Sequence, residues 1–328
     1  MPIFIVFLTF FIWSTSFTLG KNTLEYCSPL FLTGGRMFLA GVILLGFLAL
    51  VKPGSLRLKK QHLLPLFLFA LTGIYLTNAF EFWGLQYLTA AKACFIYSLC
   101  PFFSALFSYF QFREKITSKK FLGLIVGFIG FIPVLFHQTK AEETAGGWLF
   151  LSWAEIALIA ATLTSVYGWI LLRKLGKDNE VSPLMANGCA MLLGGIFALV
   201  HSFISESWTP LPISNYLGFF EGIFLMILVS NLICYNLYGW LLKRFTATFL
   251  SFAGLMTPLF AAFFGWLVLG ETVSWVFFFS IGIVSFGLWL VYSEELRLGY
   301  IAKKKKALLA EAPSPEPDRV VASEDTVE

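Results

Sequence analysis

Five ionisable side chains interrupt stretches that are otherwise apolar: Arg36, Glu81, Lys92, Glu155 and Glu221. A charge near mid-bilayer costs roughly 2.5 to 3.5 kcal/mol on insertion scales, so each of them needs a reason. The guanidinium fork of Arg36 matches a carboxylate in two bonds, and the three carboxylates can hold cations. If all five lined one cavity, its formal charge would be minus one. That would complement a ligand carrying a carboxylate, an ammonium and one further cation. The alternative is that these side chains snorkel to the interface or pair with one another. Trp13, Tyr97 and Tyr167, with Trp169, Tyr235 and Tyr238, offer faces on which a ring or a cation could stack. Ser14, Thr15, Ser16, Asn78, Thr164, Ser165, Asn187, Ser230, Asn231 and Asn236 either mark a wet route or bond between helices.

Other chemistry finds little support. Cys27, Cys94, Cys100, Cys189 and Cys234 form no CxxC pair, and four of them sit in hydrophobic runs as small apolar residues do. His62, His137 and His201 are isolated in or near connections, so spacing proposes neither a metal cluster nor a Ser/His/Asp arrangement. No Gly-x-x-x-x-Gly-Lys-Ser/Thr loop is present to cradle ATP phosphates. No metal, no cofactor and no catalytic residue is therefore expected, and any work is driven by gradients.

The elements that must position these residues follow from composition. Of 328 residues, 58% are apolar and 13% charged, against roughly 45 to 50% and 25% in soluble domains. Mean hydropathy is +0.80. A soluble globule, a disordered chain, a disulfide scaffold and a nucleic-acid binder are all poor fits, the last despite a formal charge of +4. Hydrophobic runs fall near 3–20, 30–51, 63–84, 88–110, 119–136, 149–172, 183–203, 216–240, 248–269 and 274–292. Each is long enough for a helical crossing, and none alternates with the period of two that a barrel needs. The first lacks a preceding basic residue and a small-x-small cleavage site, so it reads as a retained helix.

Of 23 Lys and Arg, the connections on one side hold 13 and the tail six, whereas the opposite connections carry only Lys21 and Lys140. The positive-inside rule then puts both termini in the cytoplasm and each of the five intramembrane charges in the outer third of its helix. Residues 296–328 read as a polybasic stretch, Lys303 to Lys306, followed by a disordered segment rich in Pro and acid.

The chain also repeats itself. Ser28, Pro29, Leu30, Gly34, Met37, Leu39 and Gly41 match Ser182, Pro183, Leu184, Gly188, Met191, Leu193 and Gly195 at an offset of 154. Pro101, Phe103, Ala105, Glu114 and Gly130 match Pro258, Phe260, Ala262, Glu271 and Gly287 at 157. Five helices are thus duplicated, and since five is odd the copies enter the membrane from opposite sides. The fold expected is an all-α integral membrane protein. Its ten transmembrane helices form two inverted five-helix repeats, 1–140 and 141–295, around a central cavity, and this is the architecture of a secondary transporter. Pro101 and Pro258 sit near the middle of helices four and nine, where they permit kinks. Gly123-x-x-x-Gly127 and Gly218-x-x-x-Gly222 allow close helix contact. Glu114 and Glu271 start the last helix of each half, where an acid favours the helix N-terminus. Arg36 has Ala190 as its counterpart, and a charge that is not duplicated points to a site.

Trp13-Ser14-Thr15-Ser16-Phe17, Ser28-Pro29 followed by Arg36, and a Pro with Glu 13 residues on in each half resemble the EamA family of the drug/metabolite transporter superfamily. The resemblance runs from residue 3 to about 292 and implies a ten-helix carrier with no ATPase. As a whole the chain is most similar to the branch of that family that transports S-adenosylmethionine and S-adenosylhomocysteine in obligate intracellular bacteria. That likeness implies uptake or exchange of S-adenosylmethionine by alternating access across the bacterial inner membrane; a bundle of this size can work as a monomer, with a homodimer the alternative. S-adenosylmethionine has the charge pattern described above; so do lysine-like amino acids, and an exporter of amino acids, metabolites or drugs on the same fold is the alternative. A membrane-embedded lipid-modifying enzyme would need clustered catalytic groups near one surface, which the scattered histidines do not supply.

Overall fold

Proline in the first turn of a helix sacrifices no hydrogen bond, because that N–H has no partner there in any case. Ser28-Pro29 and Ser182-Pro183 use this: each serine is extended and opens a 23-residue helix. The computed structural model describes residues 2–52, 58–112, 117–136, 140–176, 181–244, 250 and 253–297. In order these form α1 (Pro2–Leu24), α2 (Pro29–Val51), α3 (Lys60–Phe69), a π-helical segment (Ala70–Leu76), α4 (Thr77–Leu85), α5 (Ala90–Tyr97), α6 (Cys100–Phe112), α7 (Ser118–Phe136) and the short α8 (Lys140–Thr144). A small antiparallel hairpin follows, β1 (Gly147–Trp148) with β2 (Leu151–Ser152). Then come α9 (Trp153–Leu175), α10 (Pro183–Ser205), α11 (Tyr216–Met226), a second π-helical segment (Ile227–Cys234), α12 (Tyr235–Arg244), a 3-10 turn (Gly254–Met256), α13 (Thr257–Leu269) and α14 (Trp275–Arg297). Glu114 and everything beyond 297, including Lys303 to Lys306, lie outside the described residues.

Among the described residues, seven helical spans are long and apolar enough to cross a membrane: Phe4–Leu24, Pro29–Val51, Lys60–Leu85, Trp153–Leu175, Pro183–Ser205, Tyr216–Leu242 and Trp275–Glu294. The expected fourth and ninth crossings give shorter apolar pieces, Ala90–Ser104 and Thr257–Leu269. The cause is local. A proline removes one ladder hydrogen bond and crowds the preceding turn; α5 stops at a turn over Ser98 and Leu99 ahead of Pro101, and the 3-10 turn precedes Pro258. Leu50, Phe203, Phe224 and Trp275 stand exposed on the outside, as lipid-facing side chains do. The chain is an integral membrane protein.

The repeated glycines set the packing. α2 and α10 run against each other, with Gly34 and Gly41 facing Leu199 and Leu192, and Gly188 and Gly195 facing Leu45 and Phe38. A Cβ at Gly41 or Gly195 would collide with partner backbone, so close approach of these helices requires glycine. α7 packs likewise on α14 where Gly123 and Gly127 meet Gly287, and Gly218 and Gly222 sit on Tyr26 and Thr23. α9 packs on α3, the first π-segment, α4, α5 and α6, while α1 packs on α11, the second π-segment, α12 and α13.

A π-helical turn leaves backbone carbonyls that need new donors in lipid. In the first segment Thr77 Oγ1 donates to Thr72 O at 2.8 Å and Asn78 Nδ2 to Ile74 O at 2.7 Å. In the second, Asn236 Nδ2 donates to Asn231 O at 3.1 Å and Leu232 O at 3.0 Å.

Candidate functional site

These irregularities converge on one cavity. The first π-segment delivers Thr77, Asn78 and Glu81 to it from α4, and the second delivers Ser230 and, from α12, Tyr235 and Tyr238. The break after α5 contributes Tyr97, Ser98, Cys100 and Pro101, and the 3-10 turn contributes Gly254 and Thr257. α1 adds Trp13, Ser16 and Phe17, α2 adds Arg36, and α9 adds Ser165 and Trp169.

The polar end is held by neutral partners. Arg36 is 2% exposed. It donates through Nη2 to Asn78 Oδ1, and its guanidinium lies 4.7 Å from the centroid of the Phe82 ring. Its Nε is buried without a hydrogen-bond partner, as are the hydroxyls of Ser16 and Ser98. Glu81 accepts from Tyr97 Oη at 2.7 Å. Buried donors are normally satisfied, so unpartnered ones around a cavity mark where a ligand's acceptors belong.

A second part of the lining is aromatic. Trp169 and Tyr238 have ring centroids 4.6 Å apart, Trp13 lies 5.3 Å from Tyr238 and 5.5 Å from Tyr235, and Trp169 lies 5.4 Å from Tyr235. Asn78 Nδ2 donates to Tyr235 Oη at 3.4 Å, which joins the two ends.

Arg36, Glu81, Trp13, Tyr97 and Pro101 thus share one lining. The other expected site residues do not join it. Lys92 Nζ is bound by Glu142 at 2.5 Å and Glu155 at 2.7 Å, and both carboxylates are fully buried. Glu155 also accepts from Ser152 N at 2.7 Å in a capping box that starts α9. The pairing alternative therefore holds for these two residues, and the charge of Lys92 is met by carboxylates instead of facing a ligand. Glu221 is exposed on α11, and Tyr167 packs on Phe107 with centroids 6.1 Å apart. Among the described lining residues the formal charges, Arg36 and Glu81, cancel, so the expected net of minus one is corrected to zero. Pro258 is buried in the first turn of α13 beside Thr257, outside the lining.

Glu271 needs a correction of a different kind. It does not serve its own following helix; it accepts from Ala90 N at 2.9 Å, at the start of α5, and pairs with Lys21 at 2.8 Å. Helix α5 presents unpaired amides to that carboxylate. Glu206, which sequence reasoning passed over, does the same for α2 by accepting from Leu30 N at 2.8 Å and Phe31 N at 2.9 Å. Burial, with Glu206 nearby, pushes the Cys27 thiol up to about 12. Thr77, Phe10 and Thr257 were also missed in the lining; the first two sit in apolar runs that give no local sign of a cavity.

Comparison with known proteins adds three findings. Residues 1–136 and 152–293 match the model of the EamA-like transporter family. The "S-adenosylmethionine/S-adenosylhomocysteine transporter" of Chlamydia trachomatis serovar L2 is 47% identical over 302 residues, covering 92% of both chains, and that of Chlamydia muridarum is 47% identical, covering 92% of this chain and 94% of its own. A protein of known crystal structure, 16% identical, superposes with a TM-score of 0.64 over 90% of this chain and 98% of its own, a likeness of fold.

Proposed function

We propose a ligand and a route for this chain, which belongs to the EamA-like transporter family and is a membrane transporter, not an enzyme. The cavity binds S-adenosylmethionine and S-adenosylhomocysteine and exchanges them across the bacterial cytoplasmic membrane by alternating access. Two five-helix units, 1–140 and 141–295, cross the bilayer in opposite senses, ten times in all, with both termini and the 296–328 tail cytoplasmic. The matched packing of α1 and α9, the paired π-segments and the lysine and arginine bias support this reading of the architecture. The names of the chlamydial relatives support the ligand.

One observation carries the assignment: buried Arg36 keeps an unpartnered Nε in the same cavity as Glu81. An arginine and a carboxylate of cancelling charge suit the α-carboxylate and α-ammonium of an amino-acid headgroup, which both ligands share. Any α-amino acid has that headgroup, so amino-acid export is the second reading. The aromatic wall favours a ligand with a large ring.

The test is counterflow. Liposomes containing the protein and preloaded with unlabelled S-adenosylhomocysteine should accumulate labelled S-adenosylmethionine. Without counterflow for either compound the ligand assignment fails, and the family and fold stand.

A further inference from the structure

We propose that the aromatic wall reads the ligand's sulfur, and that it sets how strongly the carrier prefers a sulfonium over a neutral thioether. This rests on the reading that one cavity takes both compounds.

Residues that match at the repeat offset meet in this cavity with unlike chemistry. At the offset of 157, Asn78, Glu81 and Tyr97 correspond to Tyr235, Tyr238 and Gly254, and all six line the cavity. One half supplies an amide, a carboxylate and a hydrogen-bonding phenol. In the same places the other supplies two aromatic rings and a glycine, and Trp13 and Trp169 complete the wall from α1 and α9.

Charge then assigns the ligand's parts. Glu81 is the only carboxylate among the described lining residues, and the α-ammonium takes it. Among the described lining residues no second anion is left for a sulfonium, but aromatic faces attract a cation within about 6 Å of the ring centroid. The Asn78 to Tyr235 contact at 3.4 Å sets this wall directly beside the headgroup end. A carboxylate at the sulfur would be left buried and unpaired whenever the neutral thioether bound, which is expensive. An aromatic face keeps its packing against either form and loses only the cation term when the charge is absent. Exchange between two charge states calls for a reader of this kind.

The test is a ratio of affinities, measured calorimetrically on purified full-length protein. Tyr238→Leu and Trp169→Leu should weaken S-adenosylmethionine between about 2-fold and 30-fold more than S-adenosylhomocysteine, the range that cation–π energies convert to. Tyr238→Phe, which keeps the ring, should leave the ratio within about 2-fold. Because these rings also pack the interior, a second measurement keeps the fold intact: protein grown with 5-fluorotryptophan has electron-poorer rings of nearly the same shape, and should bind the sulfonium less tightly and the thioether unchanged. Equal weakening of both ligands, or a fluorinated protein in which neither affinity moves, overturns the proposal. Unmodified protein that binds neither compound overturns the ligand assignment and this inference with it, a result distinct from equal weakening.

Discussion

Two buried charged clusters use similar ingredients to opposite effect. In the cavity, Arg36 and Glu81 are each held by a neutral partner, Asn78 and Tyr97, and the arginine keeps an unpartnered nitrogen. At the connection between α8 and α9, Lys92 is gripped by Glu142 and Glu155, and the second carboxylate is further bound by the Ser152 amide. The first arrangement leaves bonding capacity at Arg36; the second pairs its charges with one another and ties α5, α8 and α9 together. A charge within a hydrophobic helix is therefore not enough to mark a site. What distinguishes a site is how the charge is satisfied.

That contrast can be broken at several points. The largest effect is expected in the Lys92 cluster, where Lys92→Ala removes the cation that bridges two buried carboxylates and should cost about 3 to 5 kcal/mol of stability, read as a lowered unfolding temperature in detergent. Lys92→Met combined with Glu142→Gln and Glu155→Gln should recover much of that loss. Failure to recover would mean that the three side chains do more than pair with one another. In the cavity, Arg36→Ala should lower uptake by about 10- to 150-fold, the worth of a charged hydrogen bond, with the unfolding temperature near that of the parent. Wild-type uptake in that variant would remove Arg36 from the site. Tyr97→Phe deletes one hydrogen bond to Glu81 but leaves the carboxylate itself in the cavity, and should weaken binding less than Arg36→Ala does, by about 10-fold or less. Smallest of all, Glu221→Gln on the exposed face of α11 should change neither uptake nor stability measurably.

Much of the fold was legible because proline, glycine and hydropathy report on backbone geometry locally. Ser-Pro openings gave the starts of α2 and α10, and the glycines in register along those helices proved to be their line of contact. Arg36 and Glu81 stood out because apolar sequence gives a charge nowhere to hide. Partnerships across long separations were not legible. Glu142 lies in the short α8, 50 residues from Lys92, and no local pattern announces that the two meet. The same holds for Glu206 on α2 and Glu271 on α5, since a helix N-terminus accepts any carboxylate that the fold brings to it. Nor does hydropathy register the helix interruptions, because the residues within them are as apolar as their neighbours.

The most direct measurement is the affinity of purified protein for S-adenosylmethionine in three forms: unaltered, Arg36→Ala and the Lys92→Met, Glu142→Gln, Glu155→Gln combination. The account predicts that the arginine variant loses affinity by at least about 10-fold and that the combination binds like the unaltered protein. Parent-like binding by the arginine variant, with binding lost in the combination, would contradict it.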